Sequence, residues 1–515
     1  MTRSAAEIGA GLAAVRAARP IRAGERIHVM GAAGAGASAA TWLAWRVGAA
    51  ASGCDPGGSS PYTAAMEAAE IPFAGLHSAA HVVAGERLLV DRVAATKALT
   101  AVAPDHPELV AAREHGVSPE PWQQVIADVA RTQGGRLVCI AGTHGKSTAS
   151  GWLVHLLVDA GADPAAFVGA LLPAAITDGV PSTARWGRGA AFVVEADEYA
   201  GNFDAYRPDV AVLLNVEWDH PDVFADLAAV LDAFEAWLRA PGAERRTLIA
   251  NVGDAGVRQL LDRMRDWPGR LIRVGLADDA DADAGADAMA DSTRPDVVGR
   301  VQMAGGLELT LAGTTFDVRP RLTGRHNAAN AVCVAGAAMA LGIPAEAIAR
   351  GLASFQGVGR RMEVKGEPRG VLVIDDYGHH PTAIAATLSA VREAHPGRRI
   401  WAVYEPLTYH RTAAMLDAFA EVLATADRAV IADIWAGRDQ DTSITSSAAL
   451  AAAISRRSSV PAVAPGSVEE TAAFLEDRVA APDVVLVMGG GRSYVVADLL
   501  VATLGATVAG RPGVG

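Results

Sequence analysis

The segment "RLVCIAGTHGKSTASGWLVHLL", residues 136–157, permits few architectures: an apolar strand-like run, a turn of small residues around Lys146 and an apolar helix-like run. In Gly142, Thr143, His144, Gly145, Lys146, Ser147 and Thr148 the glycines let backbone N–H groups face an anion, and the N-terminus of the following helix adds a favourable dipole. Lys146 can reach the outer phosphates of a nucleotide, and the Ser147 hydroxyl can ligate magnesium. The strict phosphate-loop spacing is not met, because Ile140 stands where its first glycine belongs. An ordinary strand-to-helix turn is the alternative. Against it, lysine is scarce: the 45 basic residues include only Lys97, Lys146 and Lys365, so a lysine in this loop is unlike filler.

At 515 residues the chain exceeds one compact core, and domains are expected at 1–133, 134–356 and 357–515. The first opens with "RIHVMGAAGAGASAATWLAWRVGA", a short strand, a turn at Gly31, Gly34 and Gly36, and a helix, with Asp55 about twenty residues on. The second starts at the Lys146 segment and continues through "AFVVEADEY" and "DVAVLLNVEWDH", β-rich runs that end in polar groups, as in the binding crevice of a parallel sheet. The third alternates strand-like "GVLVIDDY", "RRIWAVYEP", "RAVIADIWAG" and "DVVLVMGGG" with helix-like segments. Residues 277–297 form an acidic low-complexity stretch, read as a solvated loop rather than a calcium site.

A net charge of −13 argues against a broad nucleic-acid surface and for a small partner. Cys54, Cys139 and Cys333 are far apart and odd in number, as expected of buried free thiols. The N-terminus lacks a continuous apolar core of the secretory kind and no run reaches membrane-spanning length, so a cytoplasmic protein is expected.

Glu195 and His220 close two strands that can flank the Lys146 loop, where an acid and an imidazole can hold magnesium; each alone could equally be structural. "TGRHNAANA" brings His326, Asn327 and Asn330 to a helix start, either as a plain polar cap or beside a nucleobase. "DDYGHHP" gathers Asp376, Tyr377, His379 and His380, whose adjacent histidines diverge too much for a two-histidine metal site. Arg411 follows the next strand and can clamp a carboxylate or phosphate, or be a surface arginine.

The ordered set "GTHGKST", "EADE", "NVEWDH", "GRHNAAN", "FQGVGRRME" and "DDYGHHPT", with 25 residues from Glu195 to His220 and 34 from Tyr377 to Arg411, resembles the Mur ligase family of peptidoglycan synthesis over nearly the whole chain. The resemblance implies an α/β, three-domain Mur ligase architecture: a Rossmann-like N-terminal domain, a P-loop ATPase-like central domain and a Rossmann-like C-terminal domain. It implies an ATP-dependent ligase that joins L-alanine to the carboxylate of UDP-N-acetylmuramate through an acyl phosphate, with ATP and magnesium as cofactors, acting as a monomer or homodimer. Gly31, Gly34 and Gly36 would cradle the UDP pyrophosphate, with Asp55 and His77 near the uridine. The loop 142–148 would bind ATP; Ser147, Glu195 and His220 would hold magnesium; His326, Asn327 and Asn330 would surround adenine, and Asp376 would contact the ribose. Arg361, Tyr377, His379 and Arg411 would surround the amino acid and the developing acyl phosphate, with Lys146, His220, His379 and Arg411 serving the chemistry.

The chain departs from the family pattern in three places. The first loop reads "GAAGAGAS" in place of a paired glycine, Ser147 replaces a threonine, and no lysine between Lys146 and Lys365 can supply the carbamylated lysine that some members use. "EPLTYHRT" keeps the Arg-Thr pair of the alanine-adding branch, whereas "FVVEADEY" and "PEPWQQVI" lean towards the branch that attaches a whole L-alanyl-γ-D-glutamyl-diaminopimelate tripeptide in wall recycling. A non-catalytic nucleotide-binding regulator is a third reading, opposed by intact Lys146, Glu195, His220 and Arg411. A dehydrogenase reading of the first loop leaves Lys146 unexplained.

Overall fold

In a computed structural model, residues 2–277, 295–302, 305–437, 439 and 441–506 are described. The acidic stretch expected as a solvated loop lies, for residues 278–294, outside them; its last residue, Val297, opens a strand. Two compact units divide between Val358 and Gly359.

The first unit contains two large sheets. One has five parallel strands in the order Phe73–Ala74, Ala50–Cys54, Arg26–Met30, Arg92–Ala95, Glu120–Pro121. The chain winds outwards from Arg26–Met30 on one side and then restarts at Arg92–Ala95 on the other, so a crevice forms where these two strands end, the position at which doubly wound sheets bind ligands. Gly31, with φ of 81°, makes the turn there, and a β-carbon on it would lie 2.6 Å from Thr96 Cγ2.

The other sheet has ten strands. Its parallel centre runs Ala165–Leu172, Ala191–Ala196, Arg136–Ala141, Val210–Leu213, Thr247–Asn251, Arg270–Leu276, Val297–Val301. Antiparallel Ser182–Arg185 closes one edge, and Leu307–Leu311 with Thr314–Val318 closes the other. Val138, Cys139, Ile140 and Ala141 are all buried, which is why this run shows no alternation: helices cover both faces of a parallel sheet. Helix Lys146–Asp159 and helix Arg325–Ala340 share one of its cores, and Trp152 stacks on Phe355 with ring centres 5.1 Å apart. Lys97 Nζ donates 2.6 Å to the Ala200 carbonyl, tying the strand-end loop of the smaller sheet to a segment of the larger.

The second unit holds six strands in the order Glu363–Gly366, Leu372–Asp376, Val484–Gly489, Ile400–Glu405, Arg428–Ala432, Ala462–Gly466. The four strands expected from sequence form its parallel centre; the two edge strands were not expected. Glu363–Gly366 pairs antiparallel, and Ala462–Gly466 contains Pro465, which an edge tolerates and a central strand does not. Cys54, Cys139 and Cys333 are free and buried, as expected. Among the described residues no helix is long and apolar enough to cross a membrane.

Candidate functional site

The Lys146 loop joins strand Arg136–Ala141 to helix Lys146–Asp159. Gly142 and Gly145 adopt φ of 147° and 79°, where a side chain would be strained. A β-carbon would also lack room: at Gly142 it would lie 3.0 Å from the Asn215 carbonyl oxygen, and at Gly145 2.7 Å from Asn330 Oδ1. Among the described residues no side chain caps this helix, so its N-terminus faces the loop with the dipole that favours an anion.

The strand end "NVEWDH" fixes the loop from the side. The His144 N–H donates 2.7 Å to Asn215 Oδ1, and Asn215 Nδ2 donates 3.1 Å back to the His144 carbonyl. The Glu217 N–H donates 2.8 Å to Thr143 Oγ1, whose hydroxyl donates 3.2 Å to the Glu217 carbonyl. His144 Nε2 lies 3.4 Å from Glu217 Oε2.

Acids converge on the loop. Lys146 Nζ donates 2.8 Å to Glu198 Oε2 and 2.7 Å to the Gly142 carbonyl, and lies 3.7 Å from Asp197 Oδ1. Burial works to discharge the ammonium, but Glu198 and Asp197 outweigh it and hold the Lys146 pKa above its ordinary value. Burial pushes Glu198 up to about 7 even though Lys146 opposes the shift. Asp197 resists its own burial because Lys146 and His220 keep its carboxyl below the usual value. Ser147 Oγ donates 2.9 Å to Glu195 Oε1, and the Gly169 N–H donates 2.6 Å to Glu195 Oε2. His220, at a strained φ of 55°, places Nε2 3.7 Å from Glu198 Oε1. Lys146, Ser147, Glu195 and His220, singled out in the sequence, thus come together around one loop.

Asn330 stands against Gly145, whereas Asn327 Nδ2 donates 2.8 Å to the Thr323 carbonyl and secures the start of its own helix. His326 sits half-buried one residue before it. Asp197, Glu198, Asn215 and Glu217 escaped the sequence reading. The signal was present, since all four lie inside the two quoted motifs, but which polar residue of "EADE" faces the loop depends on the chain's course beyond the strand.

In the smaller sheet Gly34 precedes helix Ala35–Arg46 as its N-cap, and Asp55 Oδ2 accepts 3.2 Å from the Ala33 N–H of the same turn. Gly36 faces the Trp122 ring, with no room for a β-carbon. His77 Nδ1 lies 3.0 Å from Cys54 Sγ.

In the second unit Arg361 lies over the Tyr377 ring, 4.7 Å from its centre, and the His379 ring meets Tyr377 edge-on at 5.3 Å. His379 Nδ1 lies 3.0 Å from the Tyr377 carbonyl; a carbonyl only accepts, so Nδ1 carries the proton and Nε2 is the basic nitrogen of the neutral ring. The Asp376 carboxylate accepts from the Met362 N–H at 2.9 Å and the Gly378 N–H at 2.8 Å, bracing both loops. Arg411, 3% exposed, lies in the first turn of the short helix Tyr409–Ala414, whose N-cap is Thr408, at a strained φ of 60°. Arg360 also escaped notice: it donates 2.8 Å to the Gly489 carbonyl and lies 3.3 Å from buried Asp375, whose pKa burial pushes up to about 6.

Comparison with known proteins adds three findings. The Mur ligase middle domain matches residues 140–338, and the Mur ligase glutamate ligase domain matches residues 360–491. A UDP-N-acetylmuramate–L-alanine ligase of Frankia casuarinae is 34% identical over 94% of this chain and 99% of its own; one of a Roseiflexus species is 34% identical over 93% and 98%. Among solved structures, a UDP-N-acetylmuramate–alanine ligase of Thermotoga maritima shares the fold with a TM-score of 0.71 at 21% identity, over 94% of this chain and 99% of that one. A murein peptide ligase of Psychrobacter arcticus does so at 0.69 and 22%, over 95% and 100%.

Proposed function

The chain belongs to the Mur ligase family, and from that premise we propose that it forms the amide between L-alanine and the carboxylate of UDP-N-acetylmuramate, driven by ATP, in the cytoplasm. The observation that carries this reading is the 34% identity spanning 99% of a relative named for that reaction.

A carboxylate is a poor electrophile at neutral pH. Its oxygen therefore attacks the γ-phosphorus of ATP, the bond to the β-phosphate oxygen breaks, and an acyl phosphate and ADP result. The amine of alanine then attacks the acyl carbon; phosphate leaves and the amide remains. Two anions must approach in the first step, and the Lys146 ammonium, held charged by Glu198 and Asp197, is placed to offset that repulsion from a loop whose N–H groups cradle the phosphates. Buried Asn327 and Asn330 and the half-buried His326 would border the adenine, and Asp376 the ribose.

Magnesium fits the residues present. Ser147 and Glu195 offer hard oxygens 2.9 Å apart, while Asp197, Glu198 and His220 place ligand atoms within 4.8 Å of one another. Buried Glu198 Oε1 accepts no hydrogen bond among the described residues. Bound there, the metal supplies positive charge to the phosphate oxygens.

Arg361, Tyr377 and Arg411 would bind the amino-acid carboxylate and the acyl phosphate, and the basic Nε2 of His379 would take the proton from the ammonium. Gly31, Gly34, Asp55 and His77 would receive the UDP moiety at the crevice of the five-stranded sheet, with Gly36 serving close packing on Trp122. The test is ATP consumption: it should require both UDP-N-acetylmuramate and L-alanine, and consumption independent of either would sink the reading.

A further inference from the structure

In the five-stranded sheet a second set of ligand atoms converges on His28, Cys54, His81 and Glu108, none given a ligase role above, with His77, assigned to the UDP moiety, beside them at 3.0 Å from Cys54 Sγ and 3.4 Å from Glu108 Oε2. His28 lies in strand Arg26–Met30, Cys54 ends the neighbouring strand Ala50–Cys54, His81 ends the helical turn Ala79–His81, and Glu108 lies in the first turn of helix Pro107–Glu114. Glu108 Oε1 is 3.0 Å from His28 Nε2 and 2.8 Å from His81 Nδ1. Cys54 Sγ is 3.2 Å from His28 Nε2 and 3.6 Å from Glu108 Oε1. One ligand atom from each of these four residues falls within 4.8 Å of all the others.

Those separations have a simple geometric meaning. Zinc bonds of about 2.0–2.1 Å to nitrogen or oxygen and about 2.3 Å to sulfur, arranged tetrahedrally, put ligand atoms about 3.3–3.6 Å apart. Four of the six edges, at 2.8, 3.0, 3.2 and 3.6 Å, lie at or slightly below this range, and the two from His81 Nδ1 to His28 Nε2 and Cys54 Sγ fall within 4.8 Å. His28 Nδ1 lies 2.8 Å from Ser52 Oγ, the outer partner that orients a ligating imidazole and directs Nε2 inwards. One thiolate and one carboxylate with neutral imidazoles carry two negative charges, which match a divalent ion. The soft sulfur and the imidazoles favour zinc over magnesium.

The surroundings suit a structural metal. Met30, Val82, Val93, Leu109 and Ala112 are buried around Cys54 in one apolar cluster, while the His81 side chain keeps 21% exposure and opens an entry path. The four residues come from four separate elements, so one ion would fasten them together. Cys54 also immediately precedes Asp55, which accepts from the glycine turn at Ala33.

We infer that His28, Cys54, His81 and Glu108 form a binding site for a zinc-class divalent cation, separate from the magnesium positions of the nucleotide loop. The alternative is a metal-free network in which protons alone hold these atoms together.

The experiment uses the full chain with ADP and magnesium present in excess, so that the nucleotide site is filled. Zinc is added and, after removal of unbound metal, measured by mass spectrometry; cobalt is added in parallel and read by absorption. The wild-type chain should retain about one zinc per chain, melt at a higher temperature with zinc, and show with cobalt a thiolate-to-metal charge-transfer band. Cys54→Ser should abolish that band and weaken zinc binding at least about 100-fold, as should Glu108→Gln for zinc if Cys54→Ser does not fold. His220→Ala should leave both readouts unchanged. A wild-type chain that retains no zinc and gives no charge-transfer band would overturn the site, as would zinc binding unaltered in Cys54→Ser.

Discussion

Lys146 Nζ donates to Glu198 Oε2 at 2.8 Å, so the lysine that would meet the phosphates is held at the loop by an acid three residues beyond Glu195. The ammonium is kept charged and anchored, and a nucleotide bound at this loop would have to draw its charge away from Glu198.

Lys146→Ala should lower kcat at least about 10³-fold, because charge stabilisation at a transferring phosphoryl group is lost. UDP-N-acetylmuramate binding, followed by calorimetry, should stay within about threefold of wild type, since that ligand is assigned to the other sheet. Loss of both together would indicate unfolding rather than lost chemistry.

Glu198 sets a pH dependence of stability. Burial lifts its folded pKa from 4.5 to about 7, so folding takes up a proton over that interval. The stabilising contribution is complete below about 4.5 and is lost as pH rises through about 7. Glu198→Gln should remove this slope: the melting temperature of wild type should fall relative to the variant between these pH values. Parallel curves would contradict the assignment.

Asn215→Ala removes both hydrogen bonds that clamp His144. Leaving those backbone groups unmatched should cost about 1–3 kcal/mol by thermal unfolding, and the KM for ATP should rise more than that for L-alanine. An unchanged KM for ATP would show that the clamp does not shape the nucleotide loop.

Gly36→Ala separates packing from ligand binding. The added methyl would collide with the Trp122 ring, so stability should fall by about 1–3 kcal/mol. The KM for UDP-N-acetylmuramate should move little at a temperature where the variant is folded. A large KM rise without loss of stability would instead return Gly36 to the pyrophosphate cradle.

The parts legible in sequence are those set by local chemistry. Lys146, Ser147, Glu195 and His220 were readable because a glycine turn and two strand ends bring them together in any parallel sheet. Glu198 was not, because the irregular helical turn after Ala196, with Ala200 and Gly201 both at positive φ, decides which acid faces Lys146. The edge strand Ala462–Gly466 was hidden by Pro465 and by pairing with one neighbour only. The cluster at Cys54 was invisible for another reason: His28, His81 and Glu108 are spaced far along the chain, and only the β-strand register and the helix that follows make them neighbours.

The most direct test of the ligase reading is phosphate release from ATP and magnesium with UDP-N-acetylmuramate, comparing L-alanine, glycine, L-serine and the L-alanyl-γ-D-glutamyl-diaminopimelate tripeptide, with product masses recorded. Release is expected with L-alanine, together with a product whose mass is that of the two substrates joined with loss of water. Release with the tripeptide alone, or with none of the four, would contradict it.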